Sequence, residues 1–147
     1  RVMCLTDYMN YFDDRYKGVA YLDTDVGRAE FTPPGCLSLT IINEPTPDLV
    51  IPCLKTPERC YFFGDVSSKR DPQTYLNCVS ALRDYYTKLL YLPSTNGSLS
   101  RSELLLIINT PGRVKGIGYD LLVDMLKCIG PTHVAKINIS SRSKNLP

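Results

Sequence analysis

The chain has 147 residues, 44% of them hydrophobic and 22% charged, which is one domain's worth of ordinary globular composition. A formal net charge of +2 is too small to announce a nucleic-acid partner, so any surface for one has to be local. No apolar run reaches the roughly eighteen residues a membrane-spanning helix needs, and none of the six cysteines forms a C-x₂-C pair, which argues against structural zinc and for free thiols in a reducing compartment.

At the N-terminus Leu5, Tyr8, Met9, Phe12 and Tyr16 recur at spacings of three and four, predicting a helix over residues 4–17 that Gly18 ends. The same segment carries Asp7, Asp13 and Asp14 and does not read as a signal peptide. Starting at Arg1 rather than Met, and stopping at Pro147 without a termination signal, the sequence reads as a piece of something longer.

Val19-Ala20-Tyr21-Leu22 is a short apolar run that predicts a buried strand, and Asp23 and Asp25 follow it two residues apart. Strand alternation would point both carboxylates the same way. Such a pair at the carboxyl end of a buried strand suits a hydrated Mg²⁺ or a transferable proton; it equally suits capping of a turn, since Asp is a favoured turn residue.

After Thr32-Pro33-Pro34-Gly35, residues 36–42 predict a second strand. The proline-rich connection over 43–60 allows one short strand at Leu49–Ile51. Arg59–Phe63 is a further strand candidate, ended by Gly64. Asp71 and Pro72 then mark a helix start, and Tyr75, Cys78, Val79, Leu82, Tyr86 and Leu89 form its apolar face.

Residues 93–101 are turn formers and predict a surface loop. Leu104–Ile108 is an all-apolar run expected in the middle of a parallel sheet. A helix carrying Tyr119, Leu122, Val123, Leu126 and Ile129 follows, stopped by Gly130-Pro131, and residues 133–139 predict a last strand. His133, with no cysteine or carboxylate near it in sequence, reads as structural. Strands alternating with helices predict a three-layer α/β/α fold with a mainly parallel sheet.

Gly112-Arg113-Val114-Lys115-Gly116-Ile117-Gly118 lies between the last buried strand and a helix, where phosphate-binding glycines belong. It matches neither the phosphate-loop spacing nor the full dinucleotide fingerprint, and its glycines equally serve to end a strand and start a helix.

Several blocks together resemble the P-loop polynucleotide 5′-hydroxyl kinases. Leu22-Asp23-Thr24-Asp25-Val26-Gly27-Arg28-Ala29-Glu30-Phe31-Thr32-Pro33-Pro34-Gly35 looks like their Walker B region. Tyr61–Asp65, Ile108–Gly116 and Ile117–Asp120 are similar to further blocks in the same order. The likeness runs from about Tyr16 to the C-terminus, leaving residues 1–15 divergent. It is strongest to the nucleolar branch that processes pre-ribosomal RNA and weaker to the mRNA cleavage-factor branch.

The resemblance implies that residues 1–147 are a partial P-loop kinase domain, incomplete at the N-terminus, that moves the γ-phosphate of ATP onto the 5′-hydroxyl of RNA. It implies Asp25 as the aspartate that holds the water shell of Mg²⁺ or accepts the proton of the attacking hydroxyl, with Asp23 as its partner. Arg28 stands at the family's glutamine position beside the nucleotide and offers only donors. Asn109, Thr110, Gly112, Arg113 and Lys115 fall in the block that holds the RNA 5′ end. There Arg113 replaces a base-stacking tryptophan, and guanidinium can stack on a base and neutralise phosphate. Lys69 and Arg70 are candidates for phosphate contact.

Implied as well are pre-ribosomal RNA 5′-hydroxyl ends as substrate, a nuclease partner, no membrane and a nucleolar, nuclear location. The phosphate loop itself, G-x-x-x-x-G-K-S/T, occurs nowhere in the chain. The isolated chain is therefore expected to be inactive. The alternative is a non-catalytic RNA- or protein-binding module that keeps the fold.

Overall fold

β-Branched and aromatic residues in short runs, each bounded by turn formers, build the sheet. The computed structural model describes residues 18–43, 54–91, 104–112 and 115–135. In chain order these form β1 (Gly18–Asp23), β2 (Cys36–Ile42), β3 (Arg59–Phe62), α1 (Pro72–Tyr91), β4 (Leu104–Asn109) and α2 (Ile117–Ile129). The strands lie in the order β3-β2-β1-β4.

β1 runs parallel to β4, with Asp23 beside Asn109, and antiparallel to β2, with Asp23 beside Ser38. β2 and β3 are also antiparallel. The α/β class stands as expected, but the described sheet is mixed rather than mainly parallel. The cause is local: no helix separates β1 from β2, so the chain turns back through Thr32-Pro33-Pro34-Gly35 instead of crossing over. Gly35 (φ 87°) donates its N–H to the Val26 carbonyl at 2.7 Å and accepts from the Phe63 and Gly64 amides. That backbone conformation is one a side chain resists.

Both described helices pack on one face of the sheet. Ala20, Leu22, Leu37 and Leu39 from the strands meet Tyr75, Val79, Leu82 and Leu89 of α1 and Leu121, Met125 and Ile129 of α2. The α1 stripe repeats every three to four residues as the sequence predicts. On α2 the buried stripe is Leu121, Met125 and Ile129, one residue away from the expected face, and Tyr119 is exposed. Full burial of each such side chain contributes about 1.5–3 kcal/mol. On the opposite face Val19, Tyr21, Phe31 and Ile42 form a second buried group, with Tyr21 and Phe31 edge to face at 5.3 Å.

The helix ends follow their sequence signals. Asp71 accepts the Thr74 N–H at 3.0 Å, and Gly130 closes α2 in the left-handed conformation with its N–H on the Leu126 carbonyl. The final strand is not seen where it begins: His133–Ala135 are exposed and irregular, following Pro131, and the remainder of that stretch lies outside the described residues. The helix expected over 4–17, the strand at 49–51 and the loop over 93–101 also lie outside them.

Candidate active site

Because β1, β3 and β4 share one direction, their carboxyl ends, and the loops that follow, gather at one end of the sheet. β1 stops at Asp23, so Asp25 sits in the turn beyond the strand, where strand alternation no longer sets its direction.

Asp23 is 1% exposed. Its carboxylate accepts the Glu30 N–H at 2.7 Å, the Asn109 side-chain amide at 2.9 Å and the Asp25 N–H at 3.2 Å. Burial pushes its carboxyl above the ordinary range, while these donors pull the other way. Asp25 is half-buried and accepts the Gly27 N–H at 3.1 Å on one oxygen. Its other oxygen has no hydrogen-bond partner among the described residues. The two carboxylates thus divide: Asp23 ties the strand end together, and Asp25 keeps an acceptor in hand.

Arg28 is exposed, and its backbone N–H closes the turn on the Asp25 carbonyl at 3.1 Å. This turn lies directly against the loop after β3: a Cβ added at Gly27 would meet the Val66 carbonyl oxygen at 2.9 Å. In that loop Asp65 accepts the Ser67 N–H and pairs with Arg70 at 3.5 Å, so Arg70 is already partnered although its side chain is 79% exposed. Lys69 beside it is half-buried.

At the end of β4 the Asn109 carbonyl accepts both the Thr24 N–H and the Thr24 hydroxyl, and its side-chain amide is engaged by Asp23. The position that the resemblance gives to the RNA therefore also has an internal partner. Thr110 is half-buried, while Gly112 and Lys115 are exposed; Arg113 lies outside the described residues. Gly116 (φ 55°) starts α2 without a side-chain cap. A small cleft of about 10 Å³ between the β3 loop and α2 is lined by Ser68, Tyr75, Pro111, Gly118 and Met125 among others.

Sequence reasoning missed Thr24 and Tyr75. Thr24 is fully buried, and its carbonyl accepts the Tyr75 hydroxyl at 2.9 Å. The periodic stripe marks Tyr75 as a packing residue, and it does pack, against Phe63; nothing in that pattern reports where a hydroxyl ends up. Burial, then the nearby Asp25 and Asp23, push its phenol well above the usual value, so it is a donor at any physiological pH.

Among the described residues no three of His, Cys, Asp or Glu cluster as metal ligands. Mg²⁺ is commonly held by one or two carboxylates together with waters and substrate phosphates, and Asp25 has one oxygen without a hydrogen-bond partner among the described residues.

Residues 7–146 match the family described as mRNA cleavage and polyadenylation factor CLP1 P-loop. The polynucleotide 5′-hydroxyl-kinase NOL9 of Arabidopsis thaliana is 60% identical over 135 residues, covering 90% of this chain and 36% of that protein. NOL9 of Homo sapiens is 34% identical over 129 residues, covering 88% and 16%. The chain therefore spans about a third of the plant relative and about a sixth of the human one. A solved structure of the Clp1p–Pcf11p interface shares the fold, with a TM-score of 0.58 at 21% identity over 86% of this chain and 31% of that one. With the match running through nearly every residue described above, this chain belongs to the CLP1 P-loop family.

Proposed function

We propose that the chain is part of the core of an ATP-dependent polynucleotide 5′-hydroxyl kinase that phosphorylates RNA 5′-hydroxyl ends. The observation that carries this reading is the Asp25 oxygen without a partner among the described residues, at the shared carboxyl end of β1 and β4, in a chain whose relatives are named as such kinases. Mg²⁺ and ATP, when bound, supply the phosphoryl group and neutralise its charge.

The chain's own residues do the rest. Asp25 would hold Mg²⁺ when it is bound, or would take the proton of a 5′-hydroxyl beside it. Asp23 and Asn109 keep the strand ends in register. Arg28, as a donor only, can hold phosphate but cannot orient a nucleophile by accepting from it. Lys69, Arg70 and Lys115 supply positive charge on the loops at this sheet end, with Thr110 and Gly112 among them, and Arg113 is assigned to the RNA 5′ end by the resemblance alone. Ribosomal RNA processing in the nucleolus, with a nuclease partner, is the setting the resemblance supports.

A second reading, a non-catalytic RNA- or protein-binding module, is favoured by one observation: the chain contains no G-x-x-x-x-G-K-S/T motif. Two assays separate the two. The full-length protein carrying this chain should transfer label from γ-labelled ATP to a 5′-hydroxyl RNA oligonucleotide, whereas calorimetry on the isolated chain should give only weak Mg-ATP binding. RNA binding without transfer by the full-length protein establishes the second reading.

A further inference from the structure

We propose that Tyr75 is a positioning residue for Asp25, holding the peptide unit that carries Asp25 from the side opposite Asp23. The proposal rests on the reading of Asp25 as the working carboxylate. The Thr24 carbonyl and the Asp25 N–H are the two poles of one peptide plane, and that plane is rigid. Tyr75 donates its hydroxyl to the carbonyl pole at 2.9 Å, and Asp23 accepts from the N–H pole at 3.2 Å. With both poles held, the Asp25 Cα is fixed in that plane, and the Arg28 N–H on the Asp25 carbonyl restrains the turn that follows, so the plane sets the point from which the carboxylate is delivered.

The other contacts support this geometry. Tyr75 has one proton to give and two acceptors in reach, the Thr24 carbonyl at 2.9 Å and the Met125 sulfur at 3.6 Å. The carbonyl is the closer and the stronger acceptor. The Met125 sulfur also lies 3.5 Å from the Thr24 hydroxyl, so it closes the apolar side of the group. The Thr24 N–H and hydroxyl both go to the Asn109 carbonyl, which fixes the preceding residue to β4. Tyr75 itself stands in the first turn of α1, its N–H on the Asp71 carbonyl, immediately after the loop that carries Lys69 and Arg70. A shift of that loop would reach Asp25 through this hydroxyl as well as through the close approach of Val66 to Gly27.

The test is Tyr75→Phe in the isotopically labelled chain, with Tyr86→Phe as control. Tyr86 also donates its hydroxyl to a backbone carbonyl, that of Leu104, at the far end of β4. In Tyr75→Phe the Asp25 amide should exchange about fivefold to tenfold faster, the loss of one hydrogen bond's worth of protection. Line broadening of the Asp25 and Gly27 amides by Mn²⁺ should weaken in parallel. Tyr86→Phe should leave both signals where they were.

Unchanged Asp25 exchange in Tyr75→Phe overturns the proposal, and so does an equal change in both variants, which marks general loosening. Should Tyr75→Phe fail to fold, the unsubstituted chain decides. Deuteration of the Tyr75 hydroxyl should shift the Thr24 carbonyl carbon, and its failure to do so refutes the clamp. Absent Mn²⁺ broadening at Asp25 in the unsubstituted chain counts against the metal reading of Asp25, while the exchange comparison still judges the clamp.

Discussion

The last residue of β1 and the turn just beyond it each hold a carboxylate, and the two groups are used differently. Asp23 is sealed from solvent and accepts from three donors, two in the β1–β2 connection and one on β4. Asp25 is half-buried, caps one amide and retains an oxygen without a partner among the described residues. Two residues of sequence separate a group whose hydrogen-bonding capacity is taken up by the fold from one whose capacity is partly available to a ligand. A carboxylate's chemistry here is set by which donors the tertiary structure brings to it, not by its place in a motif.

The sharpest way to break this contrast is Asp25→Asn in the full-length protein. The change preserves shape and removes the charge, so phosphate transfer to a 5′-hydroxyl oligonucleotide should fall at least about a hundredfold, within the ordinary range for general-base and metal-site groups. The melting temperature should hold or rise slightly. Near-normal turnover would move the chemistry to Asp23 or elsewhere.

The converse substitution, Asp23→Ala, should act on stability. It strands the Glu30 N–H and the Asn109 amide at a nearly inaccessible site, which should cost about 3 kcal/mol. A urea midpoint barely different from that of the parent chain would show that Asp23 is not the strut its hydrogen bonds describe.

The smallest effect is one of pH. The folded Asp23 carboxyl binds its proton more tightly than the unfolded one, whose ordinary value is 3.8. Protonation of this group therefore favours the fold, fully so below that value, and the contribution is lost as pH rises through the raised folded value. Urea unfolding of the parent chain and of Asp23→Asn across that window should show the parent's relative stability declining as pH rises. A flat difference would mean that the three donors cancel burial, and a rise with pH that they outweigh it.

Much of the fold was legible in the sequence. Cys36–Ile42 and Leu104–Asn109 form strands where apolar runs and turn formers placed them. Asp71 and Gly130 cap helices as their residue types demand. The mixed sheet was not legible, because apolar runs identify strands without giving their direction, and direction here follows from the absence of a crossover helix between β1 and β2. The one-residue rotation of the α2 face escaped for a related reason. Both Leu121-Met125-Ile129 and Leu122-Leu126-Ile129 are apolar stripes, and only the neighbouring α1 and strand ends select between them.

At the site, the carboxylate pair was legible by residue type, but its division of labour was not. Neither the Asn109 amide nor the Tyr75 hydroxyl announces its partner in sequence, because those partners lie 86 and 51 residues away.

Those separations bear on how the chain acquires its structure. β2 and β3 pair across a modest stretch of sequence, but β1 joins β4 only when a loop of about eighty residues closes, a step with a substantial entropic cost that slows folding. The bonds that define the strand end, from Asn109 to Asp23 and from Thr24 to the Asn109 carbonyl, are made in that same step. During synthesis, Asp23 leaves the ribosome long before Asn109 does. Until β4 arrives, the chain carries a carboxylate that the finished fold will bury, still hydrated. The carboxyl end of β1 is therefore completed late, and a nascent chain halted before Leu104 lacks the Asn109 contacts that tie Asp23 and Thr24 to the sheet.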